Sequence, residues 1–336
     1  MADSVTAPAC ALDERYTPAD FRKVAADAAE TVYVIGGLYG NVEALHAILR
    51  MQEAEARAGR RVQLVFNGDH HWFDIDAAAF REVNLVALQN LAIRGNVEAE
   101  LARPSGDGCG CNYPAYFNAE YVARSDAIMQ RLRATARAAP LLCQGLQALP
   151  LFRVLDIGGV RIGIVHGDAE RLAGWAFAAE RLSPLGKCCS GDAAVAEPTP
   201  AATLQRWFRE AEVSAFASSH TCLAHARDLQ VDGRQRAIFN NGAAGLPNFA
   251  GETFGIVTRI SVDPRVPPDS LYGLVLDGVR FDALPVHHDH AAWVRRFLAQ
   301  WPPGSPAHEA YFRRIVGGPD FHRRDAVGGS VRLVVH

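Results

Sequence analysis

The stretch Val65-Phe66-Asn67-Gly68-Asp69-His70-His71 decides the reading of the fold. An apolar run from Val62 to Phe66 stops at a glycine, and an acid and two imidazoles follow at once. That order describes a buried strand whose C-terminal end delivers a carboxylate into a cleft, where open α/β sheets place their ligands. Asp69 is therefore expected to ligate a metal ion. Successive residues of an extended chain point opposite ways, so at most one of the two histidines faces that ion, and His71 is the choice.

The same pattern recurs on either side. Thr31 to Ile35 is β-branched and aromatic and breaks at Gly36-Gly37, which predicts a strand. Gly40-Asn41 opens a helix, with Asn41 as its cap and Val42, Leu45, Ile48 and Leu49 on one face. A helix over Ala77–Leu88 leads to a short strand, Leu91 to Arg94, that ends in Gly95-Asn96. The order βαβαβ implies parallel strands with right-handed crossovers.

Upstream, residues 1–17 read as a leader, and a short helix is expected from Pro18 to about Ala28. Downstream, residues 103–150 break the rhythm. A Gly-rich piece carries Cys109-Gly110-Cys111, and a helix from about Ala119 to Ala138 follows; the segment reads as an insertion over the cleft mouth. Phe152–Asp156 and Val160–Val165 flank Gly158-Gly159, a hairpin signal, and the second strand runs into His166-Gly167. Residues 183–202, rich in Pro, Ala, Gly and Ser, read as a surface loop holding Cys188-Cys189. Beyond a helix over Thr203–Ala211, Ala215–Ser218 leads into Ser219-His220-Thr221-Cys222, and Ala237–Phe239 into Asn240-Asn241-Gly242. Strands are expected at Phe254–Val262 and Ser270–Val275, helices at Ala291–Gln300 and Ala307–Ile315, and an edge strand or a frayed end at Val331–Val335. The domain reading is a leader and short helix over 1–30, one α/β domain over 31–285, and a helical extension over 286–336. There is no internal repeat.

Composition bounds the partners. The 336 residues are 49% hydrophobic and 21% charged, an ordinary globular balance. With a formal net charge of −3 and no dense Lys/Arg stripe, the electrostatic footprint of nucleic-acid binding is absent. Seven cysteines, an odd and scattered set, argue against a disulfide framework and for a reducing compartment. The N-terminus lacks the basic and apolar regions of a signal peptide, and no apolar run is long enough to span a bilayer. A cytoplasmic protein with no membrane partner is the expectation.

Five strand ends thus offer polar groups: Gly36 to Asn41, Gly68-Asp69, Gly95-Asn96, His166-Gly167 and Ser219-His220. One carboxylate, one carboxamide and two imidazoles suit a borderline divalent metal. Taken in order with Asn240-Asn241-Gly242-Ala243-Ala244-Gly245, these motifs resemble the calcineurin-like metallophosphoesterases from about Val32 to Gly245. The resemblance implies an α/β fold of two packed mixed sheets flanked by helices. It also implies two metal ions bridged by one carboxylate, and a hydroxide that attacks phosphorus.

Carried over residue by residue, the resemblance implies an asymmetry. The family's Asp-x-His is replaced by Gly37 and Tyr39, and the second His of its Gly-His-x-His by Cys222. The bridging acid matches Asp69, and Asn96, His166 and His220 match the remaining ligands of the other ion. Val97 stands where the family has an imidazole that helps the leaving group, while Glu98 is kept. One ion, Mn, Fe or Zn, is therefore expected on Asp69, Asn96, His166 and His220. The implied activity is hydrolysis of a small phosphorylated molecule by a metal-activated water, with His71 and Tyr39 as the candidate catalytic groups. Asn41, Glu98, Cys222, Asn240 and Asn241 are expected around the ion or the substrate. The alternative is a catalytically impaired protein of the same fold that binds a ligand or partner. A more remote reading takes Asp69, His166 and His220 as a non-haem iron triad.

Other features have plain structural readings. Cys109-Gly110-Cys111 is read first as a tight turn of small residues, with a redox or soft-metal ligand pair as the alternative, and more sharply as bringing Cys109 or Cys111 close to Cys222. His287 to His290 reads as a turn with Asp289 capping the next helix. Trp175, Trp207, Trp293 and Trp301 read as packing residues. The helix start at Gly40-Asn41 is a candidate anion site.

Overall fold

Strand Thr31–Ile35 is buried along its whole length, and its side chains alternate between two cores. Val32 and Val34 enter one apolar cluster, whereas Tyr33 and Ile35 enter another with Val42, Leu45 and Ile48 of the following helix. Strand Gln63–Asn67 repeats this, with Val65 on the first side and Leu64 and Phe66 on the second. A strand covered on both faces reads as a continuous apolar run, which is why these segments stand out in sequence.

The computed structural model describes residues 14–101, 103, 108–183 and 196–334. Along the chain run β1 (Asp27–Ala29), β2 (Thr31–Ile35), α1 (Val42–Arg57), β3 (Gln63–Asn67), α2 (Ala77–Leu88) and β4 (Leu91–Ile93). Then come α3 (Asn96–Leu101), α4 (Ala119–Arg137), α5 (Pro140–Gln147), β5 (Phe152–Ile157), β6 (Val160–Val165) and α6 (Ala179–Leu182). They are followed by α7 (Ala201–Ala211), β7 (Ala215–Ser218), β8 (Ala224–Val231), β9 (Arg234–Asn241) and β10 (Gly255–Ser261). The last are β11 (Tyr272–Leu276), β12 (Val279–Val286), α8 (His290–Gln300), α9 (Pro306–Gly317) and β13 (Arg332–Leu333).

These strands make two mixed sheets. A six-stranded sheet has the order β1-β5-β6-β7-β9-β8, and a seven-stranded sheet the order β13-β11-β12-β10-β2-β3-β4. Strands β2, β3 and β4 pair in parallel, as do β6, β7 and β9. The sheets face each other across Val32, Val34, Val65 and Ile93 on one side and Leu155, Ile157, Ile162, Ile164 and Phe239 on the other. Helices cover the outer faces: Leu45 and Ile48 of α1 and Val83 of α2 over one sheet, Leu204, Trp207 and Phe208 of α7 over the other. The expected α/β architecture of two packed mixed sheets flanked by helices is the one observed.

Several expectations need correction. The helix expected from Pro18 to about Ala28 is a 3-10 turn over Pro18–Lys23, followed by β1. Pairing of Asp27–Ala29 with the free edge of β5 outweighs the helix propensity of the alanines there. Strands β8 and β12 were not expected. Each closes a hairpin at an Asp-Gly pair, Asp232-Gly233 and Asp277-Gly278, with all four residues at positive φ, which is the type I′ turn signal. The edge strand at the C-terminus exists as β13, and Asp289 caps α8 by accepting the Ala292 N–H. Cys188-Cys189, most of the loop expected at 183–202 and the first thirteen residues of the leader lie outside the described residues. Among the described residues, no helix is long and apolar enough to cross a membrane.

Candidate metal centre

The C-terminal ends of β3, β4, β6 and β7 meet at one place. Gly68 (φ +79°) turns the chain out of β3, and Asp69 itself sits in the left-handed region at φ +52°. The approach is so close that only glycines fit. A Cβ on Gly68 would lie 2.6 Å from His166 Nδ1, and one on Gly95 would lie 2.5 Å from Asp69 Oδ1. Glu98 ties the two strand ends together. Its carboxylate accepts the N–H groups of Asp69 (2.8 Å), His70 (2.8 Å) and Gly95 (2.7 Å).

Four acceptor atoms converge there. His166 Nε2 lies 3.0 Å from Asn96 Oδ1, 3.2 Å from Asp69 Oδ1 and 3.2 Å from His220 Nδ1. The ligating atoms of Asp69, His166 and His220 all fall within 4.8 Å of one another. Backbone carbonyls fix both tautomers. His166 Nδ1–H donates to Asn67 O (3.0 Å) and His220 Nε2–H donates to Cys111 O (3.0 Å). Each ring therefore turns a lone pair toward the cluster. Asn96 spends its amide hydrogens on Cys109 O (3.0 Å) and Cys111 Sγ (3.3 Å), which leaves its carbonyl oxygen facing inward.

Such a convergence of lone pairs demands a positive charge. Burial presses His166 down, yet the Asp69 carboxylate beside it, with the Asn67 carbonyl and Glu98, holds its pKa above the ordinary imidazole value. Burial, reinforced by His166, drives His220 well below that value, so it is neutral and free to donate. Bonds of about 2.0–2.2 Å from one ion place adjacent ligands roughly 3 Å apart, which is the spacing found. The donor set of two imidazoles, a carboxylate and a carboxamide fits a borderline divalent cation.

The adjoining half is different. A side chain on Gly37 would meet the Tyr39 ring at 2.9 Å, so that ring covers the glycine. Tyr39 Oη–H donates to Cys222 Sγ (2.8 Å), whose own thiol donates to the His220 carbonyl (3.2 Å). Burial, with Cys222 and Asp69 nearby, pushes the Tyr39 phenol well up, so it stays protonated. Between the halves lies a cavity of about 20 Å³, room for roughly one water. Tyr39, Trp72, Tyr113, Tyr121, Trp175 and Tyr311 wall it, with Asp69, Val97, His220 and the thiols of Cys111 and Cys222. No lysine or arginine is among the described residues lining it.

Other expected residues are found elsewhere. His71 is fully buried, stacked on Phe80 at 4.2 Å and bonded through Nδ1 to Asp74 (2.6 Å), and it does not line the cavity. Asn41 caps α1 and donates to Gly245 O (2.8 Å). The anion site considered at that helix start meets a carboxylate already there, because Asp74 packs on Gly40. Asn240 binds Ser218 and Thr221, and Asn241 binds the carbonyls of Gly36 and Ile256, so both brace strand ends instead of facing the cavity. Trp175, expected only to pack, stands 5.0 Å from the His220 ring and donates to Cys111 O (2.9 Å). Cys109, Cys111 and Cys222 are free thiols, and Cys111 and Cys222 share the cavity wall.

No family model matches the chain, and no curated protein does. Solved structures do. A hypothetical protein from Pyrococcus horikoshii OT3 superimposes with a TM-score of 0.54 at 16% identity, over 86% of this chain and 99% of its own. A metallophosphoesterase from Sphaerobacter thermophilus gives 0.50 at 17% identity, over the same shares of 86% and 99%. The chain therefore has the metallophosphoesterase fold, at low sequence identity to both structures.

Proposed function

We propose that the protein is a divergent metallophosphoesterase that hydrolyses a small phosphorylated molecule with one divalent ion, Mn, Fe or Zn. Asp69, Asn96, His166 and His220 hold the ion. The observation that carries this reading is the convergence of four acceptor atoms whose tautomers and amide orientation are set by backbone and thiol partners. The ion, when bound, polarises a phosphoryl oxygen and supplies an acidified water as nucleophile. The chain's own groups do the rest. Asp69 and the two imidazoles orient the ion, the aromatic walls exclude bulk solvent, and Tyr39 keeps a proton beside the cavity. Tyr39 is the general-acid candidate. His71, held by Asp74 away from the cavity, supports the Asp69 loop instead.

A second reading is favoured by one observation. The cavity admits about one water, and among the described residues no cationic side chain lines it to receive a phosphate. On this reading the chain keeps the fold and the ion but serves as a ligand-binding or interaction module. Metal analysis of the purified protein, followed by turnover of p-nitrophenyl phosphate and bis(p-nitrophenyl) phosphate, separates the two. The enzyme reading expects about one ion per chain and a loss of roughly 10²-fold or more in kcat/KM for His166→Ala. A metal-loaded protein inert on both esters removes it and leaves the module.

A further inference from the structure

Two of the four acceptors owe their orientation to a segment outside the ordered motifs. The carbonyl of Cys111 takes the Nε2–H of His220, and the carbonyl of Cys109 takes one amide hydrogen of Asn96. The thiol sulfur of Cys111 takes the other. Without the first bond, His220 is free to turn its N–H toward the cluster; without the others, Asn96 is free to turn its NH₂ inward. We infer that the Cys109-Gly110-Cys111 turn is the positioning element of the metal centre, and that its anchoring sets the affinity for the ion. This rests on the reading of Asp69, Asn96, His166 and His220 as ligands.

The turn is built to stay in place. Gly110 takes φ +69°, a conformation that glycine adopts at little cost. Asp126 on α4 accepts the Cys109 N–H at 2.9 Å, and Arg133 on α4 donates to the Gly108 carbonyl at 3.0 Å. On the far side Trp175 donates to the Cys111 carbonyl, the same oxygen that receives His220. Helix α4 is thus linked through one turn to two ligands, although it supplies no ligand itself. Partners of this kind commonly govern metal affinity by about 10–100-fold.

The test is Co²⁺ binding by the full chain, followed by calorimetry and by the visible absorption of the bound ion. Variants are Asp126→Ala and Gly110→Val, which loosen the turn, and Cys111→Ala against Cys111→Ser, which remove or keep an acceptor for Asn96. Arg124→Ala, in an exposed pair on α4, is the control. Asp126→Ala is expected to weaken Co²⁺ about 10–100-fold and to shift its spectrum while the metal-free melting temperature stays near wild type. Gly110→Val should weaken Co²⁺ similarly and also lower the melting temperature, because valine is strained at φ +69°. Cys111→Ala should weaken it less, with Cys111→Ser restoring affinity. If Gly110→Val does not fold, Asp126→Ala decides. Affinity within about twofold of wild type and an unchanged spectrum in a folded Asp126→Ala overturn the inference while the ligand reading stands. A wild-type chain that takes up no Co²⁺ overturns both.

Discussion

The two halves of the centre solve opposite problems. Around His166 Nε2, acceptors face acceptors, and among the described residues only the Val97 N–H, 3.3 Å from Asp69 Oδ1, and a shared proton relieve them. Around Tyr39, the replacing side chains have internal partners: phenol to thiol, thiol to carbonyl. On the proposed reading, the first half holds a cation and the second does not. Replacements that satisfy one another are what that reading expects where a ligand set has been lost.

The comparison breaks most visibly at Asp69. Asp69→Ala or His166→Ala is expected to lower Mn²⁺ affinity by more than about 100-fold, since each removes a direct ligand. Titration calorimetry gives the stoichiometry as well, expected to be one. Two ions on the wild-type chain would falsify the contrast between the halves.

The next effect rebuilds the second half. Gly37→Asp, Tyr39→His and Cys222→His together restore the residue types that the family resemblance assigns there. The triple variant is expected to bind two ions and to gain phosphoesterase turnover. The single change Gly37→Asp should fail, because the new side chain meets the Tyr39 ring and a left-handed aspartate costs about 1–2 kcal/mol. Metal counting on both variants checks this.

Proton competition comes third. Burial lowers the pKa of His166, but Asp69, with the Asn67 carbonyl and Glu98, together hold it above the ordinary imidazole value. In the metal-free chain its bound proton stabilises the fold below the unfolded pKa, and that contribution is lost as pH rises through the raised value. An ion takes the place of that proton. Affinity for Mn²⁺ should therefore fall about tenfold per pH unit on acidification below the raised pKa, with one proton released per ion. Calorimetry in buffers of different ionisation heat reads the proton count, and a pH-independent affinity across roughly pH 5–8 contradicts it.

The smallest effect is Tyr39→Phe. It deletes one hydrogen bond from the self-satisfied half, so stability should drop by about 1 kcal/mol while Mn²⁺ affinity holds. Denaturant unfolding measures the first, and a changed affinity would mean that the halves are coupled. A loss in kcat of roughly 10²-fold or more would support Tyr39 as the acid.

Much of the architecture was legible because its strands are apolar on both faces and stop at glycines that the crowded site requires, Gly68 and Gly95 above all. Helix α2 was bounded correctly, with Asp76 as its cap. What escaped was of two kinds. Strand β8 mixes charged and apolar residues at the sheet edge, so its period is weak, and only the Asp232-Gly233 turn betrays it. The carbonyls of Cys109 and Cys111 escaped for a deeper reason: every residue but its side chain is the same peptide, so a backbone acceptor leaves no mark in the sequence. His71 was misjudged because the chain is not extended after Asp69, whose positive φ redirects it toward Asp74.

Glu98 also bears on which ion the cradle accepts. One buried carboxylate grips amides from two separate crossovers, so the cradle is assembled before any ion arrives. If Asp69, Asn96, His166 and His220 hold the ion as proposed, a rigid frame would sort cations by radius: ions that bond at about 2.0–2.2 Å would match its spacing, and Ca²⁺, at about 2.3–2.6 Å and wanting more oxygens, would be disfavoured.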